Sequence, residues 1–504
     1  MSDHGALPAE ARGGALLSRR RFCVAAAAAG ALLCAASAPA AAETGGSGWS
    51  APELLFESDA MVRTPWIVSD RYGGLHVFWR MTGWPEDSPE YGTEALYYAH
   101  WDGAGWTMPT DIIVGSFVSP SLGTADDEGR IHVLWSGQMT YLYYSSASVA
   151  TASVAAEWSS PVIVGAAQLH GQIAVDPAGR LHRVFAGQGS RGPYHQLSAD
   201  GGATWSNPVN VSPTAGPKSA ADWVRVAVGD DGAIHVVWTE FQLPNGWPPI
   251  GVFYARSTDR GRTWADQVVI AAGGYDQINV AVGPGGAVHV AWNGAVGNPG
   301  GRYHRWSPDG GQTWSNLSAV VKPGLGGTEG PPQIAVDSAG ALHLLTTYQE
   351  RVWYASWQGQ RWTETIYVPS GDETGVGLGK QLTEAIRWIE EPAMAISRGN
   401  QVHAVFWDRR NQEHSYLWHT SKQLTAPAIA PRPYPTPTPP ASAMVVPTPA
   451  ATPVPTATAA PSWDATLEAA MPETSQAVAL DSLWPVPLAV GGALLLSLTR
   501  SRSR

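Results

Sequence analysis

The chain holds only two cysteines, Cys23 and Cys34, and four lysines in 504 residues. Both cysteines lie in the first 42 residues, so the remainder has no disulfide and no thiolate metal site. Charge is sparse as well: 14% of residues are Asp, Glu, Lys or Arg, with a balance of −11. An acidic chain with few lysines cannot neutralise rows of phosphates, which excludes a nucleic-acid partner. The glycine-rich stretch Gly371 to Lys380 is not a phosphate loop, since no helix-opening Gly-Lys-Ser/Thr follows a strand there. Long apolar runs are confined to the two ends.

What the chain does have is tryptophan, 24 of them, and a repeat. Three octapeptides read S-x-D-x-G-x-T-W, beginning at Ser198, Ser257 and Ser307 and ending at Trp205, Trp264 and Trp314. Five fixed positions repeated three times specify a tight turn. The carboxylates of Asp200, Asp259 and Asp309 accept hydrogen bonds from their own turn, glycine permits φ > 0, and the tryptophan returns to the core. A turn of this kind belongs to a repeated β-hairpin.

A second element, apolar-His-apolar, recurs seven times, at His76, His132, His182, His235, His289, His343 and His403. The spacings are 56, 50, 53, 54, 54 and 60 residues. A third element, tryptophan followed by Ser or Thr (Ala after Trp264), recurs at Trp49, Trp106, Trp158, Trp205, Trp264, Trp314 and Trp362. Between them, short alternating runs such as Ile234 to Trp238 are broken by turn residues every eight to twelve positions, the signature of many short antiparallel strands. Four strands per 54-residue unit, set radially, predict an all-β, seven-bladed β-propeller over residues 45–427. The strand after Trp49 has no blade before it and is expected to complete blade seven, with Leu424 to Pro427 competing for that place. A histidine at one repeat position in every blade reads as a structural element bonding between strands, so no metal and no cofactor are expected.

The ends give an address. Ser18-Arg-Arg-Arg-Phe22, an Ala/Leu-rich run and Ala38-Pro-Ala40 mark residues 1–42 as an export signal of twin-arginine type. Residues 428–482 are rich in Pro and Thr and predict an extended stalk. Residues 483–504 combine sixteen mostly apolar residues with the basic tail from Arg500 to Arg504, which predicts a transmembrane anchor with its C-terminus inside. Met471-Pro-Glu-Thr-Ser475 is similar to a sortase sorting signal with Met and Ser in place of its Leu and Gly. The expectation is a monomeric domain held outside the cytoplasmic membrane.

The three octapeptides resemble the Asp-box, or BNR repeat, of sialidase-type propellers. The resemblance implies that each box lies on the outer hairpin between strands three and four, away from substrate. It therefore speaks for fold before activity. Seven units depart from the six blades usual for sialidases, and a six-bladed sialidase-type ring is the alternative.

The same resemblance implies an arginine cluster for a substrate carboxylate, an acidic proton donor, and a tyrosine nucleophile activated by a glutamate. Arg63, in Val62-Arg-Thr-Pro65, takes the place of the family's first arginine, with Val62 for its aromatic residue and Thr64 for its Ile. Arg80 follows at the end of the second strand, and Asp87 in the next loop is the acid/base candidate. Blade seven adds Glu390, Glu391 and Arg409. In a closed ring it abuts blade one, so Arg63, Arg80 and Arg409 are expected to converge. Tyr275 is the nucleophile candidate, without a family context around it. Glu240, Glu329 and Tyr348 also face this side.

Ser370 to Glu391 is a long insertion, expected to lie over the binding face, with a short helix over Leu382–Trp388. With the loop from Phe241 to Trp247 it suits stacking on sugar rings. Two functions follow from the resemblance and the site: an exo-sialidase-like glycoside hydrolase acting on terminal acidic sugars, or a non-catalytic propeller binding glycans or glycoproteins at the cell surface.

Overall fold

The computed structural model describes residues 48–433, apart from 116–118, 138–140, 188–191, 213–218, 243–248, 295–300, 322–329, 349–350, 364–365, 370–386 and 411–413. The leader, the stalk beyond residue 433, the anchor and most of the insertion before Glu391 lie outside the described residues. So does most of the helix expected over Leu382–Trp388, and its last two residues, Arg387 and Trp388, open a strand. Among the described residues no helix is long and apolar enough to cross a membrane.

Among the described residues the alternating sequence folds as 27 strands, with 3-10 turns at Ala155–Glu157 and Pro284–Gly286. The first repeat is a four-stranded antiparallel meander: β2 (Met61–Ser69), β3 (Leu75–Thr82), β4 (Glu94–Trp101) and β5 (Thr110–Gly115). Three later repeats copy it. They are β13–β16 (Ser219–Val228, Ile234–Gln242, Pro249–Ser257, Val268–Ala272), β17–β20 (Tyr275–Val282, Val288–Gly294, Arg302–Ser307, Ser318–Val321) and β21–β24 (Gln333–Val336, Leu342–Tyr348, Arg351–Trp357, Ile366–Tyr367). The second and third repeats merge into one seven-stranded sheet, β6–β12 (Ser119–Ala125, Arg130–Ser136, Tyr141–Ser148, Val162–Val175, Leu181–Gly187, Pro193–Ser198, Val209–Asn210). The cause is β9. Its first half pairs with β8 as an outer strand and its second half with β10 as an inner one, because no turn residue breaks Ala166-Ala167.

The last sheet joins the two ends of the domain. β25 (Arg387–Ser397), β26 (Gln401–Arg410) and β27 (His414–Gln423) take as their fourth strand β1 (Glu53–Ser58), paired Glu53 to His419 and Ser58 to Ser415. The N-terminal strand thus completes the final repeat, and Trp49 bridges to Lys422 beside it. The first strands of successive repeats pack in a cycle: β2 on β6, β6 on β9, β9 on β13, β13 on β17, β17 on β21, β21 on β25, and β25 back on β2.

The repeated tryptophans explain why neighbours stay in register. Each packs edge-on against a third-strand ring of the preceding repeat. Tyr98 meets Trp158, Tyr144 meets Trp205, His195 meets Trp264, Tyr254 meets Trp314 and His304 meets Trp362. Tyr354 meets Trp49 and His419 meets Trp106, which closes the set across the chain ends. All seven pairs are T-shaped, with centroids 4.9–6.0 Å apart. Each such contact contributes about 0.5–1.5 kcal/mol beyond burial, so no single pair decides the assembly but the cycle does.

The same third-strand rings take up the repeated histidines. His76 contacts Tyr98 Oη through Nδ1 at 2.8 Å and Asp70 Oδ2 through Nε2 at 3.1 Å, while Asp70 Oδ1 accepts from the Tyr72 and Gly74 N–H groups. His132 and His343 repeat this with Tyr144 and Asp126, and with Tyr354 and Asp337. His182 uses His195 and Asp176, and His403 uses His419 and Ser397. His235 and His289 keep the third-strand partner, Tyr254 or His304, but have Gly229 and Gly283 at the carboxylate position. All seven histidines are buried. Five of them clasp the turn after strand one to strand three, and His235 and His289 bond to strand three.

The three S-x-D-x-G-x-T-W turns lie between third and fourth strands. In the last, Asp309 accepts from Ser307 Oγ (2.7 Å), Thr313 N (2.8 Å) and Thr313 Oγ1 (2.6 Å). These bonds hold the Asp200 and Asp259 carboxyls down to about 2, with the threonine hydroxyl the largest cause. The glycines abut the preceding repeat's clasp: a Cβ at Gly202, Gly261 or Gly311 would collide with Tyr144, His195 or Tyr254.

Past β27 the chain does not leave the folded part at once. Asn400 Nδ2 donates to Ala426 O, Ser338 Oγ bonds Pro427 O, Ile429 N donates to Arg398 O, and Arg432 N donates to Arg71 O. The segment therefore runs as a strap from the sixth and seventh repeats to the first.

Candidate functional site

Each repeat has two ends. The Asp-His clasps and the Asp-box turns occupy one. The starts of first strands and the ends of second strands occupy the other, and the resemblance directs attention there. Six of the seven first strands carry a register shift here: after Arg63, Ser121, Asp222, Asp276 and Glu390, and between Ala167 and Gly171. In four of them the bulged residue is non-glycine with positive φ: Thr64 (42°), Trp223 (47°), Gln277 (51°) and Glu391 (50°). Each stands twelve residues before the repeated histidine, so the strain is a feature of the repeat. Backbone held in this region costs about 1–3 kcal/mol per residue and persists only where its surroundings enforce it.

At the seam between the last and first repeats the bulges interlock. Thr64 N donates to Glu391 Oε2 at 2.9 Å, and the Cα of Glu391 sits so close to Gly330 that any Cβ there would fall at 2.8 Å. The seam gathers the arginines. Arg63 and Arg80 are cross-strand partners in β2 and β3. The Arg63 guanidinium lies over the Trp407 ring, 4.8 Å from its centroid, and Arg409 follows two residues on in β26. Arg409 is held below its ordinary pKa, first by burial and then by the positive charge of Arg63, so the two cations lie within each other's field. Arg80 is fixed by Glu94, which accepts from Nε at 3.0 Å and from Nη2 at 2.6 Å in a two-pronged pair with Thr82 Oγ1 alongside.

The other sequence candidates are less engaged. Asp87 is exposed in the loop between β3 and β4, with no hydrogen bond or ion pair among the described residues. Glu391 spends one oxygen on the Thr64 backbone. Tyr275 opens β17 opposite Gly294 in the fifth repeat, its side chain outside the described residues, and β17 packs against β13 and β21. The Glu390 and Tyr348 side chains and the whole of Glu329 also lie outside the described residues. Glu240 is buried and accepts from Trp238 Nε1 at 2.9 Å. Asp200, Asp259 and Asp309 lie at the opposite end of the repeats, with Trp205, Trp264 and Trp314.

Sequence reasoning missed Glu94 and a second polar group, at the seam between the third and fourth repeats. There His170 Nδ1 meets Asp222 Oδ1 at 2.6 Å, and the imidazole stacks on Trp223 with centroids 4.0 Å apart. Arg225 lies buried next to it. The signal was present, since His170, Trp223 and Glu391 share one repeat position twelve residues before the histidine. The register had only to be read outward from His182, His235 and His403.

Asp70, His76 and His100 are close enough to suggest a metal, each offering an atom within 4.8 Å of the others. Their geometry does not suit one. The rings of His76 and His100 stack 4.7 Å apart at 2°, so their in-plane lone pairs run parallel, and both His76 nitrogens are engaged. Burial lowers His100 to about 4.

No protein-family model matches the chain, and no curated protein does. Solved structures do. A protein of unknown function from Dyadobacter fermentans is 14% identical, with 75% of this chain and 99% of that one covered and a TM-score of 0.45. An ulvan lyase of polysaccharide lyase family 25, bound to a glucuronic acid–rhamnose sulfate disaccharide, is 13% identical over 72% of this chain and 94% of that one, with a TM-score of 0.48. The NanB sialidase of Streptococcus pneumoniae is 10% identical over 74% of this chain and 70% of that one, with a TM-score of 0.41. At such distances the site is read from its own geometry.

Proposed function

We propose that this chain is an exported, seven-bladed β-propeller that binds an acidic glycan at the seam between its last and first blades. The observation that carries the reading is the pair Arg63 and Arg409. Two guanidinium groups that raise each other's energy sit beside a tryptophan face, in a domain of net negative charge. A carboxylate bound between them relieves their repulsion and accepts forked hydrogen bonds, while a sugar ring finds an aromatic surface nearby. Arg80, pinned by Glu94, fixes the floor on which Arg63 stands.

The cycle of first strands and of seven ring-on-tryptophan contacts supports the blade count, with the shared strand β9 counted in both the second and third blades. Residues 1–42 as export signal, 428–482 as stalk and 483–504 as membrane anchor complete the proposal, with the domain monomeric and displayed outside the cell. Cleavage after Ala40, read by N-terminal sequencing of the mature protein, tests the address.

Glycan titration by calorimetry, with sialyllactose and with uronate oligosaccharides against neutral lactose, tests the binding. Binding of acidic sugars alone is the expected result; equal or absent binding of all three refutes it. Hydrolysis is the second reading, with Asp87 as acid and Glu391 and Tyr275 in support. It requires wild-type turnover of a fluorogenic sialoside that Asp87→Ala abolishes. What favours binding over hydrolysis is that Glu391 already serves the Thr64 backbone.

A further inference from the structure

We propose that His170 and Asp222 form a proton-accepting dyad on the face that carries Arg63 and Arg409. The proposal builds on the reading of that face as a ligand site. His170 lies in β9 and Asp222 in β13, so the pair forms only when the third and fourth repeats close on one another. The contact from Nδ1 to Asp222 Oδ1 is 2.6 Å, a charge-assisted length. With the carboxylate as acceptor, Nδ1 carries the proton and Nε2 is left with its lone pair. Among the described residues Nε2 has no partner, and the imidazole is about one-fifth exposed. Of the thirteen histidines in the described residues, His170 and His414 alone are not buried, and every buried one is engaged in the core.

The surroundings hold the dyad still. Trp223 lies flat against the imidazole at 4.0 Å, and its own N–H donates to Asp222 Oδ1 at 2.8 Å. Trp223 stands at the bulge position it shares with Thr64, Gln277 and Glu391, with a φ of 47°. Asp222 is kept ionised: burial works against its charge, but His170, the Trp223 N–H and Arg225 together hold it below the ordinary carboxylate range. Arg225 is buried behind the tryptophan, its carbon 5.6 Å from the ring centroid, and its Nε has no hydrogen-bond partner among the described residues. A clasp needed only for packing has no use for a partly exposed imidazole beside a buried cation.

The step is a proton transfer. A hydroxyl of a bound sugar, or of water, gives its proton to Nε2; the O–H electron pair stays on oxygen, and Asp222 balances the imidazolium. His170 is thus the proton acceptor of this face, and Asp222 and Trp223 are positioning residues.

The test is the reactivity of Nε2 in the full-length protein. Limiting diethyl pyrocarbonate, followed by peptide mass spectrometry, is expected to modify His170 at least about tenfold faster than buried His235. Asp222→Asn keeps an oxygen for Nδ1 and the Trp223 N–H but removes the charge that balances the imidazolium, so Nε2 is less basic and the modification of His170 slows by a similar factor. A structural pair behaves oppositely, since loosening it exposes the ring. Unchanged or faster reaction in Asp222→Asn overturns the proposal. If that variant does not fold, the ¹⁵N shifts of wild-type His170 decide: a protonated Nε2 at neutral pH also overturns it. With an acidic oligosaccharide that the protein turns over, His170→Gln lowers kcat by about 10²–10⁴ with KM held, and an unchanged kcat rejects the catalytic role. Failure of acidic sugars to bind sinks the reading of the face and leaves the reactivity result standing.

Discussion

Lowering the pH from 7 to 4.5 charges histidines in the unfolded chain before it charges them in the folded one. Burial holds His235 and His289 at about 4, and burial with the nearby His182 charge holds His195 at about 3. In the unfolded chain each titrates near 6.5. A base depressed in this way is neutral in both states above about pH 6.5. Below it the unfolded state binds more protons, so stability falls with pH until the folded values are reached. At pH 4.5 each of the three contributes a loss of about 2.5 kcal/mol, about 8 together, against a total stability of about 5–15 kcal/mol for an ordinary domain. His235 and His289 are the two clasps with glycine at the carboxylate position, so neither imidazole has a carboxylate hydrogen-bonded to it against the cost of burial. Chemical denaturation followed by tryptophan fluorescence at pH 7, 5.5 and 4.5 measures this. His235→Gln is expected to cut the pH slope by about 1.4 kcal/mol per unit. A stability that stays flat from pH 6.5 to 4.5 refutes the reasoning, because it means these imidazoles are not buried neutral.

Two further outcomes follow from the fold. Gly311→Ala places a methyl 1.9 Å from Tyr254 Oη at a φ of 90°, and costs more than about 3 kcal/mol, whereas Gly201→Ala has open space at a φ of 64° and costs about 1; equal thermal shifts in the two contradict the clasp contact. Truncation after Leu424 removes the four strap hydrogen bonds and is expected to cost about 2–4 kcal/mol relative to truncation after residue 433, measured by denaturant midpoint; identical midpoints show the strap to be idle.

The repeat was legible in the sequence because its elements obey local chemistry. An Asp-box needs its Ser, Asp, Gly and Thr within eight residues, and a strand needs only its neighbours to alternate. The histidines announced a clasp but not its partners. Tyr98 lies 22 residues from His76, and nothing local joins them. Asp70 was closer to hand, six residues before His76, yet Gly229, Gly283 and Ser397 hide that position in three repeats. The merger of two repeats through β9 could not be read from a stretch that merely lacked a turn. At the site, Arg63 and Arg80 carried a family pattern, and Arg409 was named because a closed ring sets blade seven against blade one. Glu94, His170 and Asp222 matter through contacts between strands or between repeats, which sequence order does not display.

The central claim is that Arg63 and Arg409 form one anion-binding pair across the ring closure. Its most direct test is the affinity for sialyllactose of wild type, Arg63→Ala, Arg409→Ala and the double variant, with tryptophan fluorescence confirming the fold of each. The account predicts that each single change weakens binding about tenfold or more, and that the double change costs less than the sum, because both arginines hold one carboxylate. Binding that survives in the double variant at wild-type strength contradicts it.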